Sequence, residues 1–156
     1  MIVVLADIRS SHNVGSIFRT ADAAGCTQLY LCGITPCPRD RFGRSNAEIS
    51  KVALGAEEWI PWEYARSCVR RLTRLKKEGY TILALEQSKH SVPYAKVHIS
   101  KKQWTKTVLV VGNEVAGLSR TILRKAETII EIPMHGKKES LNVAVAFGVV
   151  IFSLRR

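Results

Sequence analysis

The stretch from Ser140 to Leu154, S-L-N-V-A-V-A-F-G-V-V-I-F-S-L, has helical length and almost no polar face. Leu141, Val143, Ala144, Val145, Ala146, Phe147, Val149, Val150, Ile151, Phe152 and Leu154 are all apolar. A helix apolar all round is expected to be buried all round. In a chain of 156 residues one side of it can lie on a sheet. The other side needs cover, and a second copy of the chain is the simplest source. Arg155 and Arg156 follow the helix and complement the negative end of its dipole. Two apolar strands precede it, and each runs into a loop that mixes glycine with polar side chains. These are V-V-G-N-E-V-A-G-L-S from Val110 and I-P-M-H-G-K-K-E-S-L-N from Ile132. Strand, polar loop and helix in succession build sites at the carboxyl ends of α/β sheets.

The rest of the chain alternates in the same way. Residues 2 to 6, I-V-V-L-A, read as a buried parallel strand. Asn13 is a plausible cap for a helix from Val14 to Ala24, with Val14, Ile17, Phe18, Ala21 and Ala24 on its core face. Gly25 closes that helix, and Arg19 sits roughly 140° from its apolar stripe. Residues 27 to 32 are a second strand, and 46 to 55 a short helix ending at Gly55. Trp59 and Ile60 are expected in a short strand before Pro61. Residues 63 to 78 read as an amphipathic helix with Ala65, Cys68, Val69, Leu72 and Leu75 inward. Its outer face carries Arg66, Arg70, Arg71, Arg74, Lys76 and Lys77, which can dock RNA or simply face water. Strands follow at 80 to 86, 107 to 111 and 128 to 132, with an irregular stretch over 87 to 106. A short helix near 119 to 126 and the final helix from Ser140 complete the chain. One α/β domain over 1–156 with a largely parallel sheet is expected.

Charge bounds the partners. Lys and Arg number 24 against 13 Asp and Glu, a net +11. That favours a polyanion, nucleic acid before an anionic membrane surface. Arg39, Arg41 and Arg44 surround Phe42 on a loop broken by proline and glycine, a pattern suited to phosphate contact and base stacking. No apolar run reaches the ~18 residues of a membrane span. The opening M-I-V-V-L-A-D reads as a strand rather than a signal peptide, so a cytoplasmic protein is expected. Cys26, Cys32, Cys37 and Cys68 form no C-x-x-C, and the histidines complete no zinc pattern. Buried thiols and no metal are the expectation.

The glycine patterns of dinucleotide sites, of phosphate-binding NTPase loops and of serine-hydrolase elbows are all missing from the sequence. What remains is Asn13, Arg19, Glu114, Ser140 and Asn142, all on loops after strands or on the helices those loops open. Singly the first four have plain roles: Asn13 a cap, Arg19 a surface charge, Glu114 a turn residue and Ser140 a cap. Together, N-V-G-S-I-F-R-T-A-D-A-A-G, V-V-G-N-E-V-A-G-L-S and I-P-M-H-G-K-K-E-S-L-N-V-A-V-A-F-G-V-V-I-F resemble, in order, three motifs of the SpoU (TrmH-like) RNA ribose 2′-O-methyltransferases. K-V-A-L-G-A-E from Lys51 resembles a further segment of that family.

The resemblance spans essentially the whole chain. It implies a SPOUT fold, an α/β domain whose part from about residue 80 to 156 threads a deep trefoil knot. No general topology rule would propose that, because knots are nearly absent from proteins. It also implies a homodimer and S-adenosylmethionine as cofactor, held by Gly112, Ile132, Met134 and Leu141, with Leu85 and Glu86 closing the pocket. Arg19 would be the catalytic side chain. A guanidinium hardly deprotonates, so alkoxide stabilisation and a phosphate clamp suit it better than general-base work. Asn13 would hold the ribose or orient Arg19, Glu114 would brace the loops, and Ser140 and Asn142 would position Arg19 and the knot loop. The RNA is expected to be tRNA first and rRNA second, recognised without an added RNA-binding extension. A silent RNA-binding protein of the same fold and a base methyltransferase are the alternatives. The intact polar set argues against the first, and the N-x-x-x-x-x-R and S-L-N patterns against the second.

Overall fold

The computed structural model describes residues 1–155, and Arg156, expected beside the terminal dipole, lies outside them. In chain order the elements are β1 (Ile2–Ala6), α1 (Ser11–Ala23), β2 (Gln28–Cys32), α2 (Ala47–Ala53), α3 (Ala56–Trp59), β3 (Trp62–Ala65), α4 (Cys68–Lys77), β4 (Thr81–Leu85), β5 (Val92–Pro93), α5 (Lys101–Trp104), β6 (Thr107–Val111), α6 (Arg120–Leu123), β7 (Thr128–Glu131) and α7 (Val143–Leu154), with a 3₁₀ turn at Tyr94–Lys96. The strands pair in the order β3-β2-β1-β6-β4-β7-β5, every pair parallel.

The apolar runs explain the order. Every residue of β1 and β6 is buried, as befits strands covered on both faces and both edges. Side chains alternate along β1: Val3 and Leu5 enter a core shared with α1, α2, α3 and α7, while Ile2, Val4 and Ala6 enter a second core with α4 and α6. The outermost strands are short, and Pro93 sits on one of them, where its missing N–H costs no ladder bond. Because all strands run the same way, every loop that follows a strand opens on one edge of the sheet.

Several expected boundaries move. Helix α1 begins three residues earlier than Asn13 capping would allow, because Ser10 is the cap and its hydroxyl accepts from the Asn13 amide at 3.3 Å. The helix expected over 46–55 is α2, stopped by left-handed Leu54 and Gly55 at φ 52° and 94°, and an additional helix, α3, follows it at once. Trp59 and Ile60 are no strand: Trp59 ends α3 and the strand starts after Pro61. That strand takes residues 63–65 from the helix expected over 63–78, which begins only at Cys68 behind a Ser67 cap. The stretch 87–106, read as irregular, holds β5, the 3₁₀ turn and α5. Helix α7 starts at Val143 with Asn142 as cap, so Ser140 is not the cap it was read to be.

The terminal helix is not covered all round by its own chain. Phe147, Val150, Ile151 and Leu154 are buried, whereas Val145, Val149 and Phe152 stand 54%, 39% and 49% exposed. All four cysteines are free, and burial pushes the Cys26 thiol up to about 11. Among the described residues no cluster of His, Cys, Asp and Glu could hold a metal, and no helix is long and apolar enough to cross a membrane.

Gly15 sets the distance between α1 and α2. A Cβ there would stand 2.7 Å from the Ile49 carbonyl and 3.0 Å from Val52 Cβ. The obstacle is helix backbone, which cannot swing aside. Gly15→Ala should therefore lower stability by about 1–3 kcal/mol, the usual cost of overpacking, measured by urea or thermal unfolding.

Candidate active site

The carboxyl ends of β4, β6 and β7 carry three loops that enclose a cavity of about 300 Å³. Its apolar walls are Leu85, Val111, Ile132, Met134, Leu141 and Ala146, and its polar rim includes Glu86, Glu114, Ser140 and Asn142. All six residues assigned to the cofactor in the sequence, Leu85, Glu86, Gly112, Ile132, Met134 and Leu141, line this one space. The loops fit because two positions lack side chains. A Cβ on Gly112 would lie 2.8 Å from the backbone of Gly117 and Leu118. A Cβ on Gly117 would run into the Glu86 carboxylate, which accepts from the Leu118 amide at 2.7 Å.

A chain of side-chain hydrogen bonds ties the cavity rim to α1. Asn142 donates from Nδ2 to Asn13 Oδ1 at 3.0 Å. Asn13 donates from Nδ2 to Glu114 Oε1 at 2.9 Å. Glu114 also accepts from the Arg9 amide at 2.9 Å and the Ser10 amide at 3.1 Å. Each amide group is fixed in orientation, since turning Asn13 over would set its oxygen against a carboxylate. Capping by Ser10 is what frees Asn13: a capping asparagine would spend its oxygen on its own helix. Asn142 does both jobs, because its Oδ1 accepts from the Ala144 and Val145 amides while its Nδ2 reaches Asn13. Burial raises the Glu114 carboxyl, but hydrogen bonds from Arg9, Asn13 and Ser10 outweigh it and hold the group below the ordinary glutamate value.

The other sequence candidates are dispersed. Ser140 stands exposed on the cavity rim. Arg19 is exposed on α1 and does not line the cavity. It follows Asn13 by six residues, about 9 Å along the helix axis, on another face. Arg39 forks onto Glu58 at 2.7 and 2.9 Å, and Arg44 pairs with Asp40 at 2.7 Å. Arg41 lies over the Phe42 ring, 4.7 Å from its centroid, with Arg44 on the same ring at 5.2 Å.

Two residues of the site escaped the sequence reading. Asn113 donates to the Asp7 carbonyl at 2.7 Å and accepts from the Val115 and Ala116 amides, so it shapes the loop that carries Glu114. Its signal was present, an asparagine beside glycine after a strand, which is Asx-turn chemistry. Gln87 lines the cavity and donates to the Glu139 carbonyl at 2.7 Å, joining two of the loops. Nothing in its local sequence marks it.

Residues 1–152 match the family described as the SpoU rRNA Methylase family. The chain is 35% identical to the tRNA (guanosine(18)-2′-O)-methyltransferase of Aquifex aeolicus, over 99% of this chain and 69% of that protein. It is 33% identical to the 23S rRNA (guanosine-2′-O-)-methyltransferase RlmB of Neisseria meningitidis, over 100% of this chain and 58% of that one. Among solved structures, the A. aeolicus TrmH/SpoU tRNA modifying enzyme superposes with a TM-score of 0.82 at 34% identity, covering 99% of this chain and 73% of that chain. The AdoMet-bound rRNA methyltransferase of Sinorhizobium meliloti gives 0.84 at 32%, covering 97% and 54%. The chain thus spans only part of the length of these relatives.

Glu114 supplies a test of the hydrogen-bonded rim. A carboxylate with a lowered folded pKa contributes its full stability above the ordinary value of 4.5, and that contribution drains away as pH falls through the folded value. Glu114→Gln puts an N–H where donors converge and should cost about 1–3 kcal/mol at pH 7. Below pH 4.5 the gap between variant and parent should narrow, followed by urea unfolding from pH 7 to pH 3.

Proposed function

We infer from one premise, that this chain belongs to the SpoU rRNA Methylase family, that it transfers a methyl group from S-adenosylmethionine to a ribose 2′-hydroxyl of RNA. Transfer RNA is the first substrate to try and ribosomal RNA the second, in the cytoplasm. Both relatives named above carry guanosine in their names, so guanosine is the first nucleotide to look for. The observation that carries the reading is the Asn142–Asn13–Glu114 chain, which ties the rim of the loop-walled cavity to α1.

The residues present suit the cofactor. The cavity's apolar walls can sandwich a purine, and Gly112, which lines the cavity, lets the loop after β6 fold tightly back on itself as one of its sides. The Glu86 carboxylate places negative charge where a sulfonium compound binds. S-adenosylmethionine supplies an electrophilic methyl group; the chain must present the acceptor oxygen in line and stabilise the alkoxide that develops. Asn13 and Asn142 hold the ribose side of the rim. Arg19 stabilises the alkoxide and clamps the neighbouring phosphate.

Arg19 stands away from its own cavity, which supports assigning it to the cavity of a second copy. The bare stripe of Val145, Val149 and Phe152 supports the same dimer, since burying it needs an apolar partner. The path of residues 132–142, from the end of β7 past Gln87 to Asn13, supports the reading of the part beyond residue 80 as a deep trefoil knot.

Purified protein given labelled S-adenosylmethionine and separated tRNA and rRNA should yield a 2′-O-methylated nucleotide, identified by nuclease mapping. Label on a base would overturn the ribose chemistry, and no label with no cofactor binding would leave the silent RNA-binding alternative. Arg19→Ala should lower kcat about 10²–10³-fold with cofactor affinity unchanged. A mixed dimer of Arg19→Ala and Gly112→Ala chains should recover activity, because one site then pairs an intact cavity with an intact Arg19. No recovery would place Arg19 in its own protomer's site. Appreciable activity of Arg19→Lys at high pH would favour a base over a stabiliser.

A further inference from the structure

A further cavity, of about 560 Å³, lies on the layer opposite α1 and α7 and is walled by Arg66, Arg70, Arg71 and Arg74 with Ala65 and Ser67. Among the described residues Arg66 and Arg70 meet no carboxylate in an ion pair, whereas Arg71 pairs with Glu63 and Arg74 with Glu78. Arg71 is held rigidly: its guanidinium lies 4.2 Å from the Tyr30 ring centroid and its side chain is 13% exposed. The groove also receives the N-terminus of α4, whose first turn carries no acidic residue. The positive end of that helix dipole is therefore unneutralised just where the guanidinium groups converge. Like charges crowded together repel, so the arrangement fits a polyanion that takes its place among them. Arg70 and Arg74 stand one turn apart on α4, and Arg66, in the bend before the Ser67 cap, extends their row along the groove. Such a row suits successive phosphates of a strand better than a single compact anion.

Position decides which polyanion. Strand β3 ends at Ala65 on the same edge of the sheet as the active-site cavity, since all strands are parallel. Three strand spacings separate β3 from β6, about 14 Å, and the loop bearing Arg39, Arg41 and Arg44 follows β2 between them. We propose that this arginine groove grips the phosphodiester backbone of the substrate RNA a few nucleotides from the ribose that is methylated. The site rests on the reading of the chain as an RNA methyltransferase and adds to it a second point of contact. The groove sets affinity and register without reading bases. It faces away from the apolar stripe of α7, so a dimer formed through that stripe leaves a groove free on each flank.

The test is a filter-binding titration of full-length protein with bulk tRNA and with rRNA from 50 to 300 mM KCl, comparing the parent with the double variant Arg66→Ala/Arg70→Ala. Each lost phosphate contact removes close to one unit from the slope of log K against log salt. The double variant should lose about two units of slope and at least tenfold in affinity at about 0.1 M salt, with KM for RNA raised to match. S-adenosylmethionine affinity and melting temperature should be unchanged, which separates lost contacts from misfolding. Arg66→Lys/Arg70→Lys should keep most of the slope, because lysine also neutralises phosphate. Parent-like binding and slope in the alanine variant, with methylation intact, would overturn the groove and leave the methyltransferase reading standing. A parent protein that binds and methylates no RNA would overturn both. Loss of heparin retention without loss of RNA affinity would assign the groove to another polyanion and refute the proposal.

Discussion

The carboxylate of Glu114 is the point on which the site depends. A carboxylate only accepts, and this one receives two backbone amides from the segment leading into α1 and one side-chain amide from its first turn. Arg9 and Glu114 are 105 residues apart in the chain, so the bond joins the first βα turn to the loop after β6. The direction of every bond further along is then dictated. Asn13 must give its N–H to Glu114, which leaves its oxygen for Asn142, whose own oxygen caps α7. Aspartate would serve at neither asparagine position, because each must accept on one side and donate on the other. The start of α1, the loop after β6 and the start of α7 are thereby fixed in relation to one another by groups at the cavity rim.

Close backbone packing supplies the rest of the geometry. The loop after β6 folds back on itself at Gly112 and presses Gly117 against Glu86, so the cavity walls need no long side chains to hold them. The parallel sheet collects all such loops on one edge, while its two faces take different parts. One face carries α1, α2 and α7, and its outer surface is apolar where α7 is bare. The other carries α4 and α6, and its outer surface is rich in arginine. A protein with one hydrophobic flank and one cationic flank can associate with itself through the first while keeping the second in solvent.

The central fold was legible because it rests on long-lived sequence signals. β1 is a five-residue apolar run and β6 has four apolar residues after Thr107, patterns that suit a doubly covered parallel strand, and the periodicity of Val14, Ile17, Phe18 and Ala21 fixes the face of α1. Errors gathered where local signals conflict. Ala65 fits a helical stripe as well as it fits an edge strand, and only its pairing with Cys32 across the sheet decides. Ser10 and Asn13 are both good caps, and the choice is made by Glu114 from across the chain. The cavity residues were found through the resemblance of three motifs, which follow β1, β6 and β7, to those of the SpoU family; Gln87 was passed over because its partner, Glu139, is distant in sequence, and Asn113 because its Asx-turn pattern shows a turn but not the bond to Asp7. Arg19 was readable as a residue but not as a location, since a helical wheel gives a direction about the axis and says nothing of which cavity that direction serves.

The placement of β1 beside β6 bears on how the protein is made. A ribosome delivers β1, α1, β2 and β3 first, yet one whole edge of β1 pairs with a strand that ends at Val111. Until then the first strand presents an unpaired edge of backbone N–H and C=O groups, flanked by apolar side chains, to its surroundings. Closing the sheet requires bringing together segments separated by most of the chain, a slow kind of contact to form. The cavity comes later still, when the segment through Asn142 has left the exit tunnel and can reach Asn13. For most of its synthesis the nascent protein is thus half a sheet with an open seam, the stage at which chaperone capture or aggregation would compete most strongly with folding.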